Sequence, residues 1–395
     1  MLSTETVEIV KSTVPLLEEH GQAITSCFYE KLFAENPDLK NVFNQVNQTR
    51  GEQPRALADA VLAYAQNIDN LAVLLPAVER IAHKHASLGI QANQYPIVGK
   101  NLLAAIQSVL NLPDDHPALS AWGEAYNILA NIFIDAEETI YAVNEQATGG
   151  WRGFREFTID SIVTETPEVK SFYLKPTDGG AIPTFKGGQF IGLKANPSAS
   201  EFDEIRQYSL SDESGKDHLR ITTKEEIKGL VSNHLHQSSE GTTVFLQAPT
   251  GVFTANSDTK KHIFIAGGVG ITPIIGMMYE QLQRGINPED ILFIQCSRNK
   301  AHQILKDELA SLNKKSAFHF KTCFDEGNEG DHQGYLNADV LQQWLTGAGF
   351  SADGTTDVYF CGPTPFMSAL NKHAQSLGFS DENIHYETFG PTAEL

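Results

Sequence analysis

Residues 1 to about 146 carry apolar positions at three- and four-residue spacing almost throughout, the mark of amphipathic helices. Ser3 or Thr4 caps a first helix bearing Val7, Ile9, Val10, Val14 and Leu17. A second carries Ile24, Phe28, Tyr29, Leu32 and Phe33, and ends at Asn36-Pro37-Asp38. Others are expected over Glu52–Ile68, Pro76–Gly89, Asn93–Leu110 and, after a break at Pro113 to Pro117, Leu119–Val143. No segment in this stretch alternates at period two, so it reads as all-α. After Thr148-Gly149-Gly150 the pattern changes to short strands separated by glycine turns: 157–163, 171–175, 189–194, 207–211, 219–223 and 243–247, with a short helix at Leu230–His236. That spacing predicts an antiparallel barrel or sandwich. From about His262 strands and helices alternate, with strands at 262–267, 291–297, 318–324 and 357–362 and helices such as Pro273–Gln283 and Ala301–Leu312. This predicts an α/β doubly wound sheet. The chain is thus read as multidomain, with boundaries at 1–147, 148–258 and 259–395.

Composition changes little in that picture. Twenty-nine Lys and Arg against 49 Asp and Glu give a net charge of −20, which argues against nucleic acid and anionic membrane surfaces as partners. Cys27, Cys296, Cys323 and Cys361 form no CxxC pair, so neither zinc ribbons, iron–sulfur clusters nor a disulfide framework are expected. The opening MLSTETVEIVK lacks the basic and apolar regions of a signal peptide, and Ile263–Tyr279 is too short and too broken by Gly and Pro to span a membrane. A cytoplasmic location is expected, with no integral membrane association.

Three stretches carry candidate chemistry. In Pro76–Gly89, Val78, Ile81, Ala82 and His85 share one helix face, so His85 points into what that face buries. His83 lies about 200° away round the helix and cannot join it on one metal, and both it and Lys84 can be solvated. Alone, His85 is either a hydrogen-bonded core histidine or a metal ligand. In AGGVGITP, Ala266 to Pro273, glycines stand where a strand meets a helix, with Thr272 expected near the N-cap and Pro273 at the first helical position. Unpaired N–H groups there suit a pyrophosphate, or the turn serves packing alone. Alternation places Arg206 and Tyr208 on one strand face and Gln207 and Ser209 on the other, as a cofactor-holding strand end or an ordinary exposed strand.

Taken in order, Arg206-Gln207-Tyr208-Ser209, Gly229 to Asn233, Gly268 to Pro273 and Cys361-Gly362-Pro363 resemble the ferredoxin–NADP reductase superfamily from about Trp151 to the end. With an all-α region of globin size ahead of it, the full chain resembles the bacterial flavohemoglobins. That likeness rests on Lys84-His85-Ala86-Ser87, Tyr29, Gln53, Leu57, Tyr95 and Gly150-Trp151. The resemblance implies one haem b ligated by His85, with Lys84 beside it and Phe43 stacked on the porphyrin. It implies Tyr29, Gln53 and Leu57 on the distal side, and Tyr95 and Glu137 setting the basicity of His85. Glu138 stands next to Glu137, and the sequence by itself does not choose between them. One FAD is implied at Gln189, Phe190, Arg206, Gln207, Tyr208, Ser209, Val231 and Ser232. NADH or NADPH is implied at Gly268, Val269, Gly270, Ile271, Thr272 and Pro273, with Cys361, Gly362 and Pro363 near the nicotinamide. Thr388, Phe389, Gly390 and Pro391 would cover the flavin. Arg298, following the second strand of the α/β region, is either a 2′-phosphate contact or a surface residue.

The family's reaction is nitric oxide dioxygenation. NAD(P)H reduces FAD, FAD reduces the haem iron, and haem-bound oxygen reacts with nitric oxide to give nitrate. The competing expectations are an oxygen-binding or sensing haemoglobin with a housekeeping reductase, and an electron-transfer reductase for a separate acceptor. The expected partners are nitric oxide, oxygen and NAD(P)H, acting on a monomer.

Overall fold

The computed structural model describes residues 2–44, 48, 51–198 and 200–390. By packing, the chain divides into two compact units. One comprises residues 1–146, 152–154 and 194–206, and the other holds the remainder.

In the first unit the expected opening helix is two. Thr4–Ser12 is capped by Ser3, whose Oγ accepts from the Thr6 N–H at 3.0 Å. It stops at Thr13, whose hydroxyl donates to the Val10 carbonyl, and Pro15 falls in the first turn of the next helix, Val14–Glu35. Proline has no N–H to extend the preceding ladder, so Val14 and Leu17 belong to the second helix. Helices Glu52–Gln66, Leu75–Leu88 and Tyr95–Leu110 follow. The last runs Pro117–Gln146, longer at both ends than expected, because Pro117 starts it instead of ending the preceding break. Val10, Ile24, Phe28, Leu32, Ile106 and Trp122 form the main core. Val78, Ala82, Tyr95, Ala130 and Phe133 form a smaller cluster under the Leu75–Leu88 helix.

The six strands of the first sheet are β1 (Arg155–Thr166), β2 (Val169–Pro176), β3 (Phe190–Ala195), β4 (Glu204–Ser209), β5 (Leu219–Lys224) and β6 (Thr243–Leu246). Their order is β4-β3-β6-β1-β2-β5. The outermost strands meet through an antiparallel bridge of Leu210 with Ile221, and the Ser211 N–H donates to the Arg220 carbonyl at 3.0 Å, which closes the sheet into a barrel. The regular strand at this position is Glu204–Ser209, which starts three and ends two residues earlier than the sequence pattern predicts; it ends early because residues 210–211 pair with β5 to make that closure. Trp151 is buried, its indole N–H on the Leu246 carbonyl at 2.9 Å.

The second sheet is parallel: β7 (Lys261–Gly267), β8 (Ile291–Ser297), β9 (His319–Phe324), β10 (His332–Gln333), β11 (Thr356–Cys361) and β12 (Ile384–Glu387), ordered β10-β9-β8-β7-β11-β12. Strands β7, β8 and β11 are buried along almost their whole length, as a sheet covered on both faces requires. The predicted Ala301–Leu312 helix is instead a 3-10 turn at Lys300–His302 and an α-helix at Lys306–Ser316, separated by Leu305 in a left-handed conformation. All four cysteines are free. Among the described residues no helix is long and apolar enough to cross a membrane.

Candidate functional site

Leu75–Leu88 starts with Pro76 in its first turn and ends at Gly89, whose φ of 75° makes the left-handed C-cap. One turn before that cap, the His85 Nδ1–H donates to Glu137 Oε1 at 2.7 Å. The Tyr95 hydroxyl donates to the same oxygen at 2.6 Å and lies 3.2 Å from Nδ1. Glu137 comes from the Pro117–Gln146 helix and its side chain is 3 % exposed. A carboxylate accepts and cannot donate, so Nδ1 carries the ring proton and Nε2 keeps a bare lone pair. The His85 side chain is 32 % exposed, and no described residue takes Nε2. Phe133 packs on both rings, and the Tyr126 hydroxyl holds the Tyr95 carbonyl at 2.6 Å. Burial, and then Glu137, push the Tyr95 phenol well above its ordinary pKa, so it remains a donor. Glu138, one residue on, faces away and pairs with Arg152. His83 is half-buried rather than solvated, and burial lowers its pKa. Lys84 is half-buried too, and its carbonyl accepts from the Ser87 hydroxyl at 2.7 Å.

The second cluster lies on Val14–Glu35. Tyr29 is buried, its pKa raised by burial against opposing hydrogen bonds from Gln48 and Gln53. Phe33 and Phe43 pack on its ring, with centroids at 5.8 and 5.7 Å, and Leu57 joins the same core. Among the described residues Gln53 Oε1 and Gln48 Nε2 are buried with no partner, an arrangement that costs free energy unless a polar guest completes it. Gln48 carries no periodicity or motif that marks it in the sequence. A bare, oriented imidazole nitrogen on one cluster and unsatisfied buried amides on the other fit a haem with a small polar ligand.

In the barrel, Arg206, Gln207 and Tyr208 on β4 are half-buried and Ser209 is buried. Burial therefore does not separate the two faces of this strand. Arg206 Nη2 pairs with buried Glu204 at 2.9 Å, a partner that the sequence motif does not include. The Leu210 N–H donates to the Gln189 carbonyl at 2.9 Å, which aligns Gln189 and Phe190 with the end of β4. Gln189 Oε1 is itself taken by the Lys186 N–H. Helix Leu230–Gln237 has no side-chain cap, and Val231 and Ser232 lie buried in its first turn. The Ser232 hydroxyl accepts from the Glu226 N–H, so what this turn offers an anion is backbone N–H and the helix dipole. That donor set fits a pyrophosphate.

Strands β7 and β11 are parallel neighbours, with Ala266 beside Cys361. Their carboxyl ends release Gly268–Pro273 and Gly362–Pro363 side by side where the strand order reverses, the usual ligand crevice of such a sheet. Gly268, Val269 and Gly270 form a 3-10 turn and the α-helix runs Ile271–Gln283. Thr272 and Pro273 are therefore its second and third residues, not the N-cap and first. The cap is Gly270, and the Thr272 hydroxyl donates to the Val269 carbonyl at 3.0 Å. Gly270 is required by packing, since a Cβ there would collide with the Cys361 carbonyl. Cys361 is buried, and its Sγ reaches the Glu387 carbonyl at 3.4 Å. Thr388, Phe389 and Gly390 leave β12 at this edge, with Phe389 51 % exposed. Pro391 lies outside the described residues.

A helical unit with an oriented ligand histidine, a closed barrel with a phosphate-type helix end and a nucleotide-type parallel sheet together define an oxidoreductase that uses haem, FAD and a nicotinamide nucleotide. Sequence-family models of the globins, the oxidoreductase FAD-binding domain and the oxidoreductase NAD-binding domain match residues 26–133, 156–255 and 264–372. The chain is 42 % identical to the flavohemoprotein of Halalkalibacterium halodurans, covering 100 % of this chain and 98 % of that one. It is 40 % identical to the flavohemoprotein of Pseudomonas aeruginosa, with 100 % of both covered. Its structure is similar to a Malassezia yamatoensis flavohemoglobin with bound FAD and heme, at a TM-score of 0.87 and 27 % identity over 98 % of this chain and 100 % of the other. It is also similar to the flavohem-like FAD/NAD binding domain of a nitric oxide dioxygenase from Vibrio cholerae, at 0.55 and 31 %, over 61 % of this chain and 100 % of the other. The chain belongs to the flavohemoprotein family.

Proposed function

We propose that this chain is an NAD(P)H-dependent nitric oxide dioxygenase, working as a monomer in the cytoplasm on small neutral substrates. Residues 1–147 serve the haem, 148–258 the FAD and 259–395 the nucleotide. The observation that carries this reading is the convergence of the His85 Nδ1–H and the Tyr95 hydroxyl on one oxygen of buried Glu137. A globin that only stores oxygen needs a ligand histidine; it does not need one whose second nitrogen is held by a buried carboxylate.

When bound, haem supplies the iron on which oxygen and nitric oxide react, and FAD turns a two-electron hydride into single electrons. The rest is the work of side chains. His85 Nε2 binds the iron, and Glu137 holds the Nδ1 proton at 2.7 Å, which raises the electron-donating power of the ring. Tyr95 fixes the carboxylate, and its raised pKa keeps its own proton in place. Tyr29, oriented by Gln53, presents a hydroxyl to the reacting ligand, while Leu57 and Phe43 keep the surroundings apolar enough for neutral gases. Lys84 borders the haem. Arg206, Gln207, Tyr208, Ser209, Gln189 and Phe190 position FAD, and the N–H groups of Val231 and Ser232 hold its phosphates. Gly268, Val269, Gly270, Ile271, Thr272 and Pro273 seat the nucleotide pyrophosphate, and Cys361, Gly362 and Pro363 border the nicotinamide. Thr388, Phe389 and Gly390 cover the flavin. A net charge of −20 repels nitrate once it forms.

The test is aerobic addition of nitric oxide to the loaded protein with excess NADH. Sustained nitrate formation is expected, at two nitrates per NADH because each hydride carries two electrons. One turnover followed by a stall sinks the proposal.

A further inference from the structure

Apart from residues 194–206, the flavin barrel and the nucleotide-binding sheet belong to one compact unit, and a buried charge stands on the seam within it. Arg220, on β5, is 2 % exposed. Its guanidinium grips both carboxylate oxygens of Glu308, Nη1 on Oε2 at 2.5 Å and Nη2 on Oε1 at 2.8 Å. Glu308 sits in the first turn of the Lys306–Ser316 helix, where the helix dipole favours a carboxylate. Tyr279, on the Ile271–Gln283 helix, donates its hydroxyl to Glu308 Oε1. On the barrel side, Arg220 Nε donates to Ser211 Oγ at 3.3 Å, Nη2 donates to the Ser211 carbonyl, and Asp212 lies 3.9 Å away. One barrel side chain is thus fixed to its own sheet at one end and to Glu308 at the other, and the same Glu308 carboxylate is tied by Tyr279 to a second helix of the nucleotide lobe.

A second contact stands on the same seam. The Gly187 N–H donates to Glu280 Oε2 at 2.8 Å. A Cβ on Gly187 would collide with the Gly276 carbonyl, whereas one on Gly188 would meet first the Phe253 carbonyl and then the Met277 methyl group. Backbone rests on backbone there, which leaves little room for the lobes to slide.

Stability does not explain the ion pair. Removing two charges from water costs about as much as their attraction returns, and apolar replacements of such pairs are commonly neutral or better. What a bidentate fork adds is direction. Hydride transfer needs direction: its reacting atoms must come within about 3–3.5 Å, and a misplacement of about 1 Å can cost on the order of a hundredfold in rate.

We infer that Arg220, Glu308 and Tyr279 are positioning residues for hydride transfer, setting the angle of the nucleotide sheet against the flavin barrel. In that step the carbon–hydrogen bond of the dihydronicotinamide breaks, the hydride passes with its electron pair to the flavin, and the oxidised nicotinamide leaves. The inference rests on the FAD and nucleotide assignments, not on nitric oxide chemistry. Its test has no nitrate readout, so the two proposals fail separately.

The test uses the full chain loaded with haem and FAD, mixed anaerobically with NADH and, separately, NADPH in a stopped-flow instrument. Arg220→Lys keeps the charge and loses the fork, and Glu308→Gln keeps the shape and loses the charge. Each is expected to slow flavin reduction at saturating nucleotide by about tenfold or more. The nucleotide Kd should change little, and the isotope effect with 4-deuterated nucleotide should grow. Flavin reduction by dithionite and the following haem reduction should keep their rates. The volume-matched pair Arg220→Met with Glu308→Leu is expected to hold the wild-type Tm and remain slow. Flavin reduction within twofold of wild type in both single variants overturns the inference. So does recovery of the rate in the apolar pair, which would make the ion pair merely structural.

Discussion

At the scale of single residues, the choice between Glu137 and Glu138 shows how a neighbour decides chemistry. The two stand side by side on one helix, yet one is buried against His85 and the other pairs with Arg152 near the surface. Arg152 holds Glu138 below its ordinary pKa, so that carboxylate is committed elsewhere. Glu137→Gln is expected to keep haem binding, because His85 Nε2 remains available. It should also lower the iron–histidine stretching frequency in resonance Raman spectra and cut the proposed nitric oxide turnover by about 10- to 100-fold, the usual cost of losing a partner behind a metal ligand. An unshifted stretch would return His85 to the status of an ordinary globin histidine. The motif residues around His85 could be read in the sequence. Gln48 and Glu204 could not, because they matter only through the residues that folding sets beside them.

At the scale of elements, two local substitutions probe the parallel sheet. Gly270 sits against the Cys361 carbonyl, so Gly270→Ala must push β7's turn away from β11. Anaerobic titration should then show FAD and haem bound but flavin reduction by NADH slowed by more than tenfold, because the turn proposed to seat the pyrophosphate is displaced. Normal reduction would show that this turn does not hold the nucleotide. His262, at the start of β7, is wholly buried and stacks on Phe264, and among the described residues neither ring nitrogen has a side-chain partner. Burial lowers its pKa from 6.5 to about 4, with Asp357 opposing the shift. A depressed histidine stays neutral in the fold and takes up a proton on unfolding. Its penalty is therefore absent above pH 6.5 and grows as pH falls from 6.5 toward 4, reaching about 3 kcal/mol at most. Urea denaturation at pH 7.5 and pH 5 checks this: His262→Phe should lose less stability between the two than wild type, and equal losses would refute it. The sequence marks His262 as a strand residue. Only the packed sheet buries its imidazole away from any side-chain partner among the described residues.

At the scale of the whole molecule, electron counting links the haem, flavin and nucleotide regions. A nicotinamide delivers two electrons together and a haem iron accepts one, so a flavin is needed between them. Removing FAD should leave the Soret band of the haem intact and abolish its reduction by NADH, with re-addition of FAD restoring it. Haem reduction at an unchanged rate in the flavin-free protein would break this account. The order of the three folds was legible from periodicity, because helical spacing, period-two alternation and strand–helix alternation are properties of consecutive residues. Boundaries were less legible. The break at Thr13, the early end of β4 and the late start of the Lys306–Ser316 helix each follow from a proline, a barrel closure or a left-handed residue.

The sequence by itself determined the three architectures, the inward face of the Leu75–Leu88 helix and the glycine turn after β7. Each depends on spacing along one segment. Tertiary structure alone decided which carboxylate holds His85 and which tautomer follows. It alone assigned Arg206 to Glu204 and closed the barrel through Leu210 and Ile221. It also placed Arg220 against Glu308, 88 positions along the chain. A hydrogen bond is set by distance and direction in space, and periodicity along a chain carries neither once the partners lie on different elements.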